Sequence, residues 1–150
     1  GPRQFPEKLI PKTILYAINN NKIPIYGSGK NVRDWIHVSD HCEAISQVLK
    51  NGKKGSSYNI SSDNEVDNKT IIKKILKLMK KPEDFVEYVN DRPGHDFRYS
   101  MDSSKIRNEL GWTPKIKFDE GLENTISWYL KNKKWWKDIP QDVLIPNWQK

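Results

Sequence analysis

Apolar residues occur only in short segments of this sequence, which limits the chain to folds built from short strands and amphipathic helices. The longest uninterrupted apolar segment, 14–18, has five residues, whereas a membrane-spanning helix needs about 20. The 150 residues are enough for one domain with its own core. The chain opens without a basic and apolar leader, so we expect no membrane association and a cytoplasmic location.

The spacing of the apolar residues predicts an α/β fold. Helical spacing occurs over residues 7–20, 39–50, 69–81 and 119–132, with a short helix between Asp102 and Gly111. The predicted strands cover residues 23–26, 33–38, 57–60, 86–89 and 98–101. Ser39 and Asn68 are the predicted caps of the second and third helices. Helices therefore alternate with short strands, and a tryptophan-rich tail follows residue 132.

The formal net charge of +7 indicates an anionic partner. Six lysines lie among the thirteen residues 69–81, where they could form either a nucleic-acid surface or the solvated face of an amphipathic helix. No aromatic residues interleave with them, so nucleic acid is the less favoured partner. A single cysteine excludes an internal disulfide and a cysteine-built zinc site. His37 and His41 lack a third ligand nearby, so no metal site is predicted.

The turn Gly27-Ser28-Gly29 begins like a dinucleotide-binding loop. The third glycine of that motif is missing, because position 32 is valine, and a strand rather than a helix is predicted to follow. The Tyr-Lys pairs at the spacing of a reductase dyad either span this turn or lie at a basic helix end. We therefore predict no NAD phosphate loop at this turn and no catalytic residue in this chain.

Three places could bind an anionic nucleotide. The stiff turn 91–95 carries Arg92 and His95, which suit a diphosphate, although an Arg–Asp pair within the turn would explain it equally well. Arg33 offers a planar fork of donors after the glycine turn, unless Asp34 merely pairs with a neighbouring cation. Tyr26 could stack on a base or be one more aromatic residue of the core.

A series of short motifs identifies a family that this chain resembles. The motifs are Gly1–Pro11, Pro24-Ile25-Tyr26-Gly27, Arg33-Asp34-Trp35, Tyr58-Asn59-Ile60, Asp91–Asp96, Glu109-Leu110-Gly111-Trp112, Trp128-Tyr129-Leu130 and Trp135-Trp136. Their order and spacing resemble those of the dTDP-glucose 4,6-dehydratases, which belong to the extended short-chain dehydrogenase/reductase family. The resemblance covers essentially the whole chain.

The resemblance implies that the parent enzyme has two domains with different roles. Residues 1–150 would be the C-terminal, sugar-nucleotide-binding domain, and the N-terminal Rossmann domain, with its NAD loop and catalytic pairs, would be missing from this chain. The parent enzyme would use NAD to convert dTDP-glucose to dTDP-4-keto-6-deoxyglucose and water, for dTDP-rhamnose biosynthesis. This chain alone would hold no NAD and would be inactive. Its partners would be the dTDP-sugar and the missing Rossmann half.

The resemblance also implies which residues bind the substrate. Arg33 would bind the diphosphate, and a loop would close over it, with Arg92 and His95 as donors. That loop consists of Asp91, Arg92, Pro93, Gly94 and His95. The other contacts would come from Lys8 and Leu9 beside the nucleotide, from Pro24, Ile25 and Tyr26 around the thymine, and from Asn68.

Two points of the comparison with the family stay open. Ser61-Ser62 stands where the family commonly has two glycines, so a turn that needs a positive φ would be strained here. The base also stays open, because the same scaffold could serve a UDP-sugar dehydratase or epimerase. A basic nucleic-acid-binding module is the further alternative.

Overall fold

The computed structural model describes residues 1–140 and residue 143, in which helices and short strands intermix up to Val89 and three helices follow. The helices are α1 (Leu9–Ile18), α2 (Val38–Asn51), α3 (Asn68–Leu78), α4 (Ser104–Leu110), α5 (Phe118–Lys131) and α6 (Lys133–Trp136). The strands are β1 (Ile23–Tyr26), β2 (Val32–Asp34), β3 (Glu65–Asp67) and β4 (Val86–Val89). The α/β class is confirmed. The end of the tryptophan-rich tail, including Trp148, lies outside the described residues.

The strands form two separate two-stranded sheets. β1 and β4 pair in parallel, with Tyr26 opposite Val89. β2 and β3 pair antiparallel, with Arg33 opposite Val66. Because β1 and β4 are parallel, the segments that follow them, the glycine turn and loop 91–95, leave the same edge of the sheet. The second sheet brings Arg33 to the start of α3.

The core lies among α1, α3 and α5. Its largest cluster consists of Ile10, Ile14, Leu15, Ile71, Ile75, Leu122, Ile126, Tyr129 and Trp136. A second cluster fixes β1 against α1 and α3 and consists of Ala17, Ile23, Ile25, Ile72 and Leu76. Burying each such aliphatic side chain contributes roughly 1.5–3 kcal/mol. The apolar stripe predicted for the third helix is thus confirmed, and it holds the elements that border the cavity described below.

The lysines of α3 occupy the side of the helix away from this core. Lys73 pairs with Glu83 at 2.9 Å, and Lys74 pairs with Asp119 at 2.6 Å. Lys73 and Lys77 are exposed. The arrangement supports the solvated-face interpretation of this lysine-rich helix.

The predicted strand at 57–60 is wrong, and the strand β3 forms further along at Glu65–Asp67. Tyr58 and Ile60 belong to no strand and pack against the cluster of Ala44, Ile106 and Trp112, with no described strand beside them. The predicted strand 98–101 is reduced to one bridge between Val32 and Arg98. Whether each of these segments forms a strand depends on a second segment that pairs with its backbone. The sequence of one segment does not reveal that partner.

Helix starts differ from the predicted caps by one or two residues. His37, not Ser39, caps α2, because its Nδ1 accepts a hydrogen bond from the Ser39 amide at 3.3 Å. Asp67, not Asn68, caps α3 through the Thr70 amide at 2.9 Å. Gly111 ends α4 as predicted, with a left-handed φ of 65°. The short helix α6 was not predicted.

The turn at Ser61-Ser62 carries no strain at the serines. The positive φ of this turn falls on Asp63, at 57°. The Ser61 and Ser62 hydroxyls both donate to the Asp34 carboxylate, the latter at 2.9 Å. The Ser62 amide donates to the same carboxylate at 3.2 Å. The two serine hydroxyls therefore anchor the end of β2 through hydrogen bonds that glycines could not make.

Candidate functional site

A cavity of about 520 Å³ opens between α1, β1, β2 and loop 91–95. Its size falls within the range typical of ligand pockets. The residues that line it are Gln4, Glu7, Lys8, Leu9, Lys12, Thr13, Ile23, Pro24, Tyr26, Arg33, Trp35, Asn68, Arg92 and His95. They come from five separate stretches of the chain, and the two sheets and the α1–α3 core hold those stretches together.

Most of the predicted site residues meet at this cavity. Eight of the twelve line it, namely Lys8, Leu9, Pro24, Tyr26, Arg33, Asn68, Arg92 and His95. Asp91, Pro93 and Gly94 belong to the loop beside it without lining it. Ile25 is buried in the second core cluster, because successive side chains of a strand point to opposite faces. Its backbone, rather than its side chain, lies between the two lining residues Pro24 and Tyr26.

Arg33 is held in place by backbone carbonyl groups. Its two terminal nitrogens donate to the carbonyl oxygens of Asp96 at 2.9 Å and of Val32 at 2.6 Å. Its guanidinium carbon lies 4.5 Å from the centre of the Tyr99 ring. Asp34 accepts hydrogen bonds from Ser61, Ser62 and the Asn64 amide, and no cation among the described residues pairs with it. The alternative that Asp34 merely pairs with a neighbouring cation therefore does not hold among the described residues.

Loop 91–95 is stiffened by contacts within itself. Asp91 Oδ1 accepts a hydrogen bond from the Arg92 amide at 2.9 Å and lies 2.6 Å from His95 Nδ1. Burial acts to raise the pKa of Asp91, but the hydrogen bonds from His95 and Arg92 outweigh it and hold that pKa below its usual value. Asp91 thus engages the His95 ring and the Arg92 backbone, which leaves the Arg92 side chain on the cavity wall.

Gly27 allows this loop to approach the end of β1. Its φ is +54°, and an added Cβ would lie 2.7 Å from Asp91 Oδ2. A side chain at this position would therefore be strained and would push against the loop. The glycine thus serves the close packing of the site rather than the phosphate of a dinucleotide.

The sequence interpretation missed Lys12, which is a buried charged residue of the cavity wall. It is 6% exposed, and its Nζ donates to the Tyr26 hydroxyl at 2.8 Å. Burial lowers the pKa of Lys12 to about 8, against the opposite effect of Glu7. Burial also raises the pKa of Tyr26 to about 12. The available signal was a lysine on a helix turn whose other residues, apart from Thr13, are apolar.

The cavity combines apolar walls with an excess of positive charge. Leu9, Ile23 and Pro24 supply apolar surface, and Trp35 and Tyr26 supply rings. The basic side chains are Lys8, Lys12, Arg33, Arg92 and His95. The acidic lining residue Glu7 pairs with Lys8 at 2.5 Å. This combination suits a ligand with a flat apolar part and an anionic part. Within residues 1–140 and 143, no group of three or more acidic, histidine or cysteine residues could hold a metal ion.

The glycine turn does not fit the pyrophosphate of NAD. The Gly29 amide donates to the Tyr26 carbonyl at 3.1 Å, and its own carbonyl accepts from the Lys69 amide at 3.0 Å. The chain then enters β2, whereas a dinucleotide loop leads into a helix whose first amides bind the phosphates. The prediction that a strand rather than a helix follows this turn is confirmed.

Comparison with known proteins identifies several similar dehydratases. The dTDP-glucose 4,6-dehydratase of Escherichia coli is 45% identical over an alignment of 150 positions. That alignment covers 93% of this chain. The crystal structure of dTDP-glucose 4,6-dehydratase from Bacillus anthracis in complex with NAD is 48% identical, covers 91% of this chain and has a TM-score of 0.88. That of DesIV, a dTDP-glucose 4,6-dehydratase from Streptomyces venezuelae with NAD and TYD bound, is 42% identical, covers 91% of this chain and has a TM-score of 0.89.

The matched relatives are considerably longer than this chain. The chain spans 41% of the Escherichia coli protein and 43% and 42% of the two chains in the crystal structures. The helices in residues 1–140 are too short or too polar to cross a membrane. The sequence profile described as GDP-mannose 4,6 dehydratase matches residues 1–125. The resemblance seen in the motifs is therefore confirmed, and the chain belongs to the GDP-mannose 4,6 dehydratase family.

Proposed function

We propose that residues 1–150 form the sugar-nucleotide-binding domain of a dTDP-glucose 4,6-dehydratase. One observation carries the proposal: the cavity brings together Tyr26, Arg33, Arg92 and His95 from β1, β2 and loop 91–95. These are side chains suited to a base and a diphosphate, and the family resemblance assigns the same residues to the substrate. The relatives bear the name of this activity.

The division of roles within the site follows from the chemistry of its walls. Tyr26, Pro24 and Leu9 offer the flat, apolar surface that a pyrimidine needs. Arg33, Arg92 and His95 offer donors for the diphosphate oxygens. Contacts to the nucleotide are remote from the reacting sugar, and their binding energy serves to place the sugar for reaction.

The chemical step would require a second, NAD-binding domain. The glycine turn does not fit NAD, so we derive no part of the reaction from this chain. We expect the 150-residue chain to form no 4-keto sugar from dTDP-glucose, even with NAD added. Its contribution would be to bind and position.

Calorimetric titration with dTDP tests the proposal. Arg33→Ala should weaken binding by about 10- to 100-fold, because a charge-assisted hydrogen bond contributes about 1.5–3 kcal/mol. Arg98→Ala is the matched control, since Arg98 pairs with Glu65 at 2.6 Å and does not line the cavity. Binding that is absent in the unaltered chain, or equal in the two variants, would contradict the proposal.

The same titration with dUDP, which lacks only the thymine methyl group, and with UDP, which also carries a 2′-hydroxyl, addresses the nucleoside. A buried methyl group contributes about 0.8 kcal/mol, so a dTDP-specific site should bind dTDP roughly four times more tightly than dUDP. Tighter binding of UDP would favour a domain that serves a UDP-sugar. Binding of DNA with a steep dependence on salt would favour the nucleic-acid alternative.

A further inference from the structure

Lys12 stands out because it is a buried cation whose neighbours do not neutralise it. Its one hydrogen-bond partner among the described residues is the neutral hydroxyl of Tyr26, at 2.8 Å. The rings of Tyr26 and Tyr16 lie 5.3 and 5.7 Å from its Nζ. None of the ion pairs between described residues includes Lys12, and Glu7, the acidic residue that affects it, pairs with Lys8. A buried ammonium in such surroundings is stabilised by any acceptor oxygen that enters the cavity.

A second polar side chain, that of Thr13 next to Lys12, has no hydrogen-bond partner among the described residues. Thr13 is 1% exposed, and its Oγ1 has no hydrogen-bond partner among the described residues. It lines the same cavity. A buried hydroxyl without a partner is costly, and a ligand that bonds to it removes that cost. Two adjacent residues of α1 thus face one cavity, Lys12 with a single hydrogen bond from its ammonium and Thr13 with none from its hydroxyl.

We propose that Lys12, assisted by Thr13, binds an oxygen atom of the nucleotide and is fully protonated in the complex. The inference rests on the proposed function. It adds two residues of the cavity wall that lie outside the family motifs. The oxygen belongs either to the pyrimidine base or to the diphosphate, and both are acceptors for an ammonium.

Proton uptake is the measurable consequence of this assignment. In the empty cavity burial opposes the charged form and Glu7 favours it, so the pKa of Lys12 is about 8. The other charged or titratable groups facing this space are Lys8, Arg33, Arg92 and His95. A ligand oxygen on Nζ favours the charged form and raises that pKa. Binding therefore takes up a proton near pH 8 and weakens as the pH rises above 8.

Calorimetry of the 150-residue chain with dTDP at pH 8, in buffers of different ionisation enthalpy, measures this uptake. We expect about half a proton per dTDP and about tenfold weaker binding at pH 9 than at pH 7. Lys12→Met should abolish the uptake and weaken binding at pH 7 by about tenfold. Lys12→Arg should keep the affinity and lose the pH dependence. Lys22→Met, at an exposed position outside the cavity, is the control with the same charge change and should match the unaltered chain.

Repeating the titration with thymidine, which lacks the diphosphate, identifies the nucleotide oxygen that Lys12 binds. If Lys12→Met weakens thymidine and dTDP equally, the oxygen belongs to the base; if it weakens dTDP alone, the oxygen belongs to the diphosphate. Binding of dTDP by the unaltered chain without proton uptake, or with unchanged affinity in Lys12→Met, would overturn this inference alone. No binding of dTDP or UDP by the unaltered chain would overturn the proposed function and this inference with it.

Discussion

Tyr129 links α5 to the amino-terminal segment that borders the cavity. Its hydroxyl donates to the carbonyl oxygen of Gln4 at 2.6 Å, and Gln4 lines the cavity. The tyrosine is fully buried, and burial raises the pKa of its hydroxyl well above the usual range. The ring also meets the edges of Trp128 and Trp135. A residue remote in sequence thus fixes one rim of the proposed site.

Tyr129→Phe should lower the free energy of unfolding by about 1 kcal/mol, because it removes one hydrogen bond and leaves the Gln4 carbonyl to find another partner. Denaturant unfolding measures this difference. Tyr88→Phe is the matched control, since Tyr88 is an exposed tyrosine and its change should stay within about 0.5 kcal/mol. Equal effects of the two substitutions would show that the bond to Gln4 does not stabilise the fold.

Single residues differ in how far their roles could be predicted. Arg33 and His95 were candidates because arginine and histidine on short, stiff segments suit anions, and the family resemblance then assigned them to the diphosphate. Lys12 was not found, because its burial depends on Tyr26, which reaches it from a strand 14 residues further along the chain. Residue type identifies candidate donors, whereas the cavity that makes them useful is a property of tertiary packing.

At the scale of elements, the start of α3 depends on a charged cap. Both carboxylate oxygens of Asp67 accept hydrogen bonds from Thr70, one from the amide at 2.9 Å and one from the hydroxyl at 2.7 Å. Burial acts to raise the pKa of Asp67, but the bonds from Thr70 outweigh it and lower that pKa. The cap also precedes Asn68, which lines the cavity.

Asp67→Ala should destabilise the chain by about 1 kcal/mol at pH 7, the usual cost of losing an N-cap. Because the folded-state pKa lies below the unfolded value, the stabilisation is complete above about pH 4 and disappears as the pH falls through the folded pKa. Thermal unfolding at pH 7 and at pH 2.5 measures the difference. Asp84→Ala removes an exposed carboxylate and should change stability little at either pH. A loss that is the same at both pH values would contradict the role of the charged cap.

Helices and strands were predicted well where the residues of the segment itself determine the element. The strands β1 and β4 have the predicted bounds, and α3 follows its apolar stripe. The polar strand β3 was missed, because Glu65-Val66-Asp67 forms a strand only by pairing with β2. The segment 57–60 shows the converse: its alternating residues suit a strand, but no described strand pairs with it.

At the scale of the whole molecule, the site is assembled by two independent pairings. The parallel pair β1–β4 delivers Tyr26 and loop 91–95 to one edge, and the antiparallel pair β2–β3 delivers Arg33 and the start of α3. The helices α1, α3 and α5 hold both sheets through the two core clusters. All the side chains that we propose to bind the nucleotide line this cavity, and all belong to this chain.

The most direct test of the central claim is an NMR titration of the ¹⁵N-labelled 150-residue chain with dTDP. We predict saturable shifts confined to the cavity, which the Trp35 indole, Lys8, Tyr26 and the amides of Arg92 and His95 would report. The exposed face of α3, reported by Lys73 and Lys77, should not respond. A spectrum that dTDP leaves unchanged, or shifts centred on the lysines of α3, would contradict the proposal that this cavity binds the nucleotide.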